Sequence, residues 1–229
     1  MSITPESVQQ LLSSENLGDR LRGVNQIRQL EPVIGFGLIQ RAVTDSNARV
    51  RYSAVSQMDT LGEQDLDLSL NILRGLLNDP ETDVQAAAAD CLGALKLHEA
   101  FEDLQQLYHS SNEWIVKFSI IATLGALGDP RAFELLKEAL SSDNELVQTA
   151  AISSLGELGN TQAIPLLVPY ATNPDWQIRY RLAQALNLLK SADAKSILET
   201  LANDQVEAVA TEAKIALRGS REQGAGSRE

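Results

Sequence analysis

A column of β-branched residues runs through this chain at near-constant spacing: Val50, Val84, Val116, Val147, Ile178 and Val209, at steps of 34, 32, 31, 31 and 31 residues. Self-similarity at such a period means one supersecondary unit used repeatedly. Four residues after each marker stand Ala54, Ala88, Ile120, Ala151, Leu182 and Ala213, and eight after stand Met58, Leu92, Leu124, Leu155, Leu186 and Leu217. Leu61, Leu95, Leu127, Leu158 and Leu189 extend the series at +11. Offsets of 4, 8 and 11 fall on one stripe of an α-helix, so each unit contains a helix with a buried face.

A second apolar periodic segment lies upstream of each marker, as in Leu70, Leu73, Leu76 and Leu77, or Phe133, Leu135, Leu136 and Leu140. Between the two segments, five residues before the marker, stand Asp45, Asp79, Ser111, Ser142, Asn173 and Asp204, with Pro80 and Pro174 behind two of them. Short polar side chains that bond nearby backbone N–H groups, with prolines that cannot continue a helix, predict a tight turn at each position. Gly125 to Pro130 and Gly156 to Asn160 supply helix-stop residues after the second helix. One helix pair cannot cover its own apolar stripe and must lay it against the next, so the expected fold is all-α, a solenoid of about six helix-pair repeats. The repeats span 34–218; residues 1–33, with a helix start at Thr4-Pro5-Glu6, form an N-terminal cap, and the Gly-rich tail 219–229 is expected to be disordered.

Composition narrows the function classes. Of 229 residues, 44% are hydrophobic and 22% charged, which suits a folded globular chain. Nineteen Lys and Arg against 31 Asp and Glu leave a net charge of −12, which repels nucleic-acid phosphates and anionic lipid surfaces. Cys91 is the one cysteine, so no internal disulfide or multi-Cys zinc motif is possible, and without a secretory leader the chain reads as cytoplasmic. The longest stretch free of both charges and strongly polar side chains, Phe118 to Gly128, includes Ser119 and Thr123 and is far shorter than the roughly 20 residues of a membrane helix, so no membrane insertion is expected.

The pattern Asp79-Pro80-x3-Val84-x3-Ala88-x3-Leu92-Gly93, with Leu124-Gly125-Ala126-Leu127-Gly128-Asp129-Pro130-Arg131-Ala132, resembles the short HEAT-like repeat named after phycobilisome lyases. Within that family the chain is most similar to the lyase-related phycobilisome degradation proteins, the non-bleaching B type of cyanobacteria. The resemblance covers 34–218 and implies handling of open-chain tetrapyrroles on phycobiliprotein cysteines, at phycobilisomes on the thylakoid surface. Phycocyanobilin would be ligand or substrate and phycocyanin a partner, with no further cofactor. Detachment of the bilin, its attachment as one lyase subunit, and a non-catalytic adaptor role all remain open. The chain also resembles deoxyhypusine hydroxylase in its helical repeats, but that resemblance implies several His-Glu dyads for two irons, and only His98-Glu99 is present. No metal site is expected.

Solenoids commonly bind along their second helices. Two residues after the marker stand Tyr52, Ala86, Phe118, Thr149, Tyr180 and Thr211, half aromatic in a chain with 4% aromatics, and both tryptophans, Trp114 and Trp176, stand two before it. Trp114 with Phe118 and Trp176 with Tyr180 are i,i+4 pairs, each a contiguous patch suited to a flat conjugated ligand or a partner's helix, or else to filling gaps between turns. The basic residues Arg51, Lys117 and Arg179 directly follow a marker, where they can bond the turn Asp of a neighbouring repeat; alternatively Arg51, Arg179 and nearby Arg181 can hold bilin propionates. Asp90 sits in an alanine run, Gln85 to Cys91, whose small side chains leave a ligand room, and it is the candidate acid–base group. Cys91 falls on the apolar stripe, where a thiol behaves as a small hydrophobe rather than a bilin acceptor.

Overall fold

In the computed structural model, which describes residues 3–225, every regular element is an α-helix or a short 3-10 turn, and no strand occurs among the described residues. The chain is an α-solenoid. It divides into two compact units, Met1–Thr123 and Leu124–Glu229, with the boundary inside the Trp114–Leu127 helix.

The first unit opens with the helix pair Pro5–Leu12 and Leu17–Ile27, where Thr4 forms a capping box with Ser7. Pro32–Ala42 pairs with Ala48–Val55, Leu66–Leu76 with Thr82–Ala94, and Phe101–Ser110 precedes the Trp114–Leu127 helix. In the second unit Phe133–Ala139 pairs with Glu145–Leu158, a broken segment of Ile164–Leu167 and Val168–Thr172 with Trp176–Leu189, and Lys195–Leu201 with Glu207–Ala225. The break follows from Pro165 and Pro169, each of which removes a helix N–H. The tail expected at 219–229 falls on the end of the last helix, which runs to Ala225, and on residues 226–229, which lie outside the described residues.

All six marker residues are buried, as are the six at +4 and the first five at +8, while Leu158 and Leu217 are half-buried. Each expected turn residue lies between its two helices and accepts a bond from the N–H two residues on. Asp45 accepts from Asn47 (2.8 Å), Asp79 from Glu81 (2.9 Å), Ser111 from Glu113 (3.1 Å), Ser142 from Asn144 (3.2 Å), Asn173 from Asp175 (2.8 Å) and Asp204 from Val206 (2.8 Å). In three repeats the residue so held, Asn47, Asn144 or Asp175, then caps the second helix.

Successive second helices approach closely through small residues. A Cβ on Gly125 would lie 2.5 Å from the Ser154 side chain, and one on Gly156 would lie 2.6 Å from the Ala185 Cα. The residues twelve after the marker end their helices in the left-handed region: Lys96 at φ 55°, Gly128 at 69°, Gly159 at 73° and Lys190 at 47°. Two of these positions therefore carry a side chain where glycine is free of strain. Gly156→Ala is expected to destabilise the protein by about 1–3 kcal/mol through overpacking, and Lys190→Gly to stabilise it by about 0.5–1 kcal/mol once the looser unfolded chain is counted. Urea denaturation of both variants checks the opposite signs.

Candidate functional site

The first unit contains a solvent-open cleft of about 580 Å³ built from stripes on three consecutive second-helix positions. Tyr52, Ser56 and Asp59 come from one repeat, Ile115 and Ser119 from the Trp114–Leu127 helix, and the floor is the Thr82–Ala94 helix between them. That floor presents Asp83, Ala86, Ala87, Asp90, Cys91 and Ala94, spaced as one helical face. Alanine leaves the volume that a larger side chain would fill, so the alanine run and the cleft are one feature. Of the residues anticipated for binding or catalysis, Tyr52 and Asp90 are brought together here. Asp59, Asp83 and Ser119 also line the cleft, which the +2 column alone does not reveal; extending the stripe around Asp90 to its i±3, i±4 and i±7 neighbours would have found Asp83.

Asp90 presents an open edge to the cleft, yet the surrounding walls withdraw water from it. This burial raises its carboxyl above the ordinary value, and the nearby Ser119 hydroxyl opposes the rise. Ser119 itself is 3% exposed. Asp59 and Asp83 add two more carboxylates, and among the described residues no Lys or Arg lines the cleft. Cys91, also 3% exposed, donates from Sγ to the Val55 carbonyl (3.1 Å). Burial, reinforced by the charges of Asp59 and Asp90, pushes its thiol up to about 12. A thiol so protonated is a poor nucleophile, which agrees with the packing role.

The basic column divides. Arg51 lies half-buried and donates from Nε and Nη2 to both oxygens of Asp79 (2.7 Å each), while its Nη1 reaches the Asp45 carbonyl (3.0 Å). Arg179 repeats the arrangement on Asp204 (2.6 and 2.9 Å) and the Asn173 carbonyl (2.6 Å). Arg20 forms a third such rung with Asp45 (2.8 Å). Both forks anticipated for bilin propionates are thus taken by turn aspartates of the next repeat, and neither lines the cleft. In contrast, Arg181 is exposed and donates to Gln184 (3.0 Å). Lys117 lies over the Tyr108 ring, 5.1 Å from its centre.

The aromatic residues are open rather than packed away: Tyr52 is 49% exposed, Trp114 45% and Trp176 42%, with Phe118 and Tyr180 half-buried. Trp114 and Phe118 belong to the first unit and Trp176 and Tyr180 to the second. Among the described residues no cluster of His, Cys, Asp and Glu could hold a metal ion, and no helix is long and apolar enough to cross a membrane.

Stacked helix pairs, polar turns and a guanidinium ladder define a helical-repeat protein of the solenoid class. The family model for HEAT repeats matches residues 36–125, 70–156 and 134–218, and the chain belongs to that family. Among solved structures, it is similar to the CpcE–CpcF complex of phycocyanin lyase from Nostoc sp. PCC7120. The TM-score is 0.64 and the identity 22%, over 97% of this chain and 89% of that one. It is also similar to Escherichia coli YibA, with a TM-score of 0.71 and 16% identity, over 93% of this chain and 81% of that one. Both likenesses concern the fold. In sequence, human deoxyhypusine hydroxylase is 28% identical over 104 residues, 44% of this chain and 34% of its own. The chain thus spans about a third of the length of the curated relatives it matches.

The Arg179 bond, opposed by burial and aided by the Val206 N–H, holds Asp204 below its ordinary 3.8. At Asp79 burial acts upward, and the Arg51 bond, the Glu81 N–H and the Arg51 charge outweigh it, so this carboxyl too is lowered. A lowered folded value means that the rungs contribute fully above about pH 4 and lose that contribution as pH falls through the folded values. Arg179→Ala is expected to cost on the order of 2–3 kcal/mol at pH 7, between exposed and fully buried pairs. Urea denaturation at pH 7 and pH 3 should show the difference from the parent protein shrinking in acid.

Proposed function

We propose that this protein docks on phycobiliproteins and detaches phycocyanobilin from its cysteine, with Asp90 as the proton-transfer group. The observation that carries the reading is a desolvated carboxylate on the alanine floor of an open cleft, beside the exposed ring of Tyr52. The phycobilisome-lyase pattern in the repeats supports it, and so does a fold shared with the phycocyanin lyase complex. The protein acts in the cytoplasm, at phycobilisomes on the thylakoid surface.

Detachment is an elimination. The Asp90 carboxylate takes the proton from the carbon next to the one bearing sulfur, that electron pair becomes a carbon–carbon double bond, and the sulfur leaves as thiolate. The thiolate then collects the proton and is released as the cysteine thiol. Burial raises the Asp90 carboxyl, and a carboxylate with a raised pKa is the stronger base. The same groups run in reverse would attach a bilin. Three carboxylates without a cation repel propionates and favour pyrrole N–H donors. The tetrapyrrole therefore enters by its nitrogen edge, against Asp90, with its propionates left to water and Tyr52 stacked on a ring.

Exposed Tyr52, Trp114 and Trp176 favour a second reading, an adaptor that presents aromatic anchors to a phycobiliprotein without chemistry. Phycocyanin incubated with the purified protein distinguishes the two. Covalent bilin, followed by zinc-enhanced fluorescence on a denaturing gel, is expected to fall, and Asp90→Asn to slow the loss at least roughly tenfold. Phycocyanin binding without bilin loss would replace the lyase by the adaptor. In titrations with free phycocyanobilin, the dimethyl ester is expected to bind at least as tightly as the free acid, and Tyr52→Ala to weaken both by about fivefold, the equivalent of one stacking contact. A large loss of affinity on esterification would place the propionates on a cation and refute the edge-first orientation.

A further inference from the structure

The row of second-helix positions that floors the cleft in the first unit is filled quite differently in the second. In the Thr82–Ala94 helix the row two before the marker and two, six and ten after it is Thr82, Ala86, Asp90 and Ala94, the last three being cleft floor. In the Trp176–Leu189 helix it is Trp176, Tyr180, Gln184 and Leu188, a step of four that keeps all four side chains on one ridge. Trp176 and Leu188 are exposed, Tyr180 and Gln184 half-buried. The packed helices on either side contribute shorter residues to the same row, Thr149, Ser153 and Thr211, and one more exposed apolar side chain, Ile215. Arg181 adjoins the ridge: it donates from Nη1 to Gln184 Oε1 (3.0 Å), and Gln184 donates from Nε2 to the Tyr180 hydroxyl (3.2 Å). A guanidinium only donates, so the Gln184 carbonyl faces it and the amide nitrogen faces Tyr180. The tyrosine oxygen therefore accepts, which leaves its own proton to be donated elsewhere. Arg181 makes no ion pair among the described residues, and its helix contains no Asp or Glu.

We propose that this ridge is the surface by which the second unit docks on the phycobiliprotein: a carboxylate side chain of that partner is received by Arg181 and the Tyr180 hydroxyl, and apolar side chains around it pack on Trp176 and Leu188. This rests on the docking that both readings above share. Charge complementarity selects the carboxylate, since the guanidinium keeps unused N–H groups in a fork and the tyrosine proton is a second donor beside it. Trp176 and Leu188, at the two ends of the ridge, keep water from such a pair, which strengthens it. A ridge has no walls to bury a small ligand, whereas a protein brings the opposing wall with it, so the occupant is the carrier protein and not the free pigment.

The test is phycocyanin binding by the full-length protein, followed by biolayer interferometry. Arg181→Glu should weaken binding at least about tenfold, and Tyr180→Phe, which keeps the ring and removes the donor, about threefold. Arg41→Glu makes the same charge change at an exposed cation of the Pro32–Ala42 helix and should bind like the parent. Free phycocyanobilin, assigned above to the cleft of the first unit, should bind all three variants as it binds the parent, which also reports that they fold. If Arg181→Glu binds phycocyanin as well as Arg41→Glu does, the inference is overturned and the cleft chemistry stands. Loss of free bilin binding in step with phycocyanin would overturn it as well, by making the ridge a pigment site. A parent protein that does not bind phycocyanin would overturn it together with the docking on which it rests.

Discussion

The close approach of one second helix to the next governs the rest of this structure. Each Thr82–Ala94-type helix buries a stripe against its own partner and its neighbour, and small residues at the crossing set the distance. Gly93 against Thr123, Gly125 against Ser154 and Gly156 against Ala185 are the same contact made in three repeats. Helices that close leave no room for large side chains along the seam, and the polar atoms trapped there must find partners within it, as Thr123 does with the Ala89 carbonyl. Where the exposed side of such a helix is also alanine, at Ala86 and Ala87, the surface sinks into a cleft. The core contact and the candidate site thus follow from one economy of side-chain volume.

The fold was legible because the signals repeat. Val50, Val84, Val116, Val147, Ile178 and Val209 each carry the same neighbours at the same offsets, so an accident at one position is outvoted by the others. The turn residues were legible for the same reason, since Asp, Ser and Asn share the ability to accept from the N–H two residues on. A site has no such redundancy. Asp90 stood out through the alanines around it, but Asp59 and Asp83 resemble any surface carboxylate until three helices are set side by side.

Arg51 and Arg179 illustrate a different limit. A guanidinium on a second helix has two sets of carboxylates it could serve, a ligand's or a turn's, and the residue type is equally apt for either. Geometry decides between them: the fork reaches the next turn aspartate with both nitrogens and its own turn carbonyl with a third. Arg181, two positions on from Arg179, points away from that ladder and pairs with a neutral amide. Positive charge available to an anionic ligand is accordingly scarce in the cleft, and this scarcity shapes which edge of a tetrapyrrole it can receive.

The ladder also writes the order of the repeats into the chain. Arg20, Arg51 and Arg179 each precede an aspartate turn, at Asp45, Asp79 and Asp204, whereas Gln85, Lys117 and Gln148 precede Ser111, Ser142 and Asn173. Excising the repeat that carries Asp79 would bring Arg51 against Ser111 and leave a shielded guanidinium with no anion. Excising one between Gln85 and Asn173 would join neutral or flexible partners and leave no aspartate unmatched. Unequal recombination, the ordinary route by which repeat arrays lengthen and shorten, would therefore be punished at both ends of this chain and forgiven in its middle. Its charged rungs act as bookends, and its central repeats are the part of the array free to vary in number.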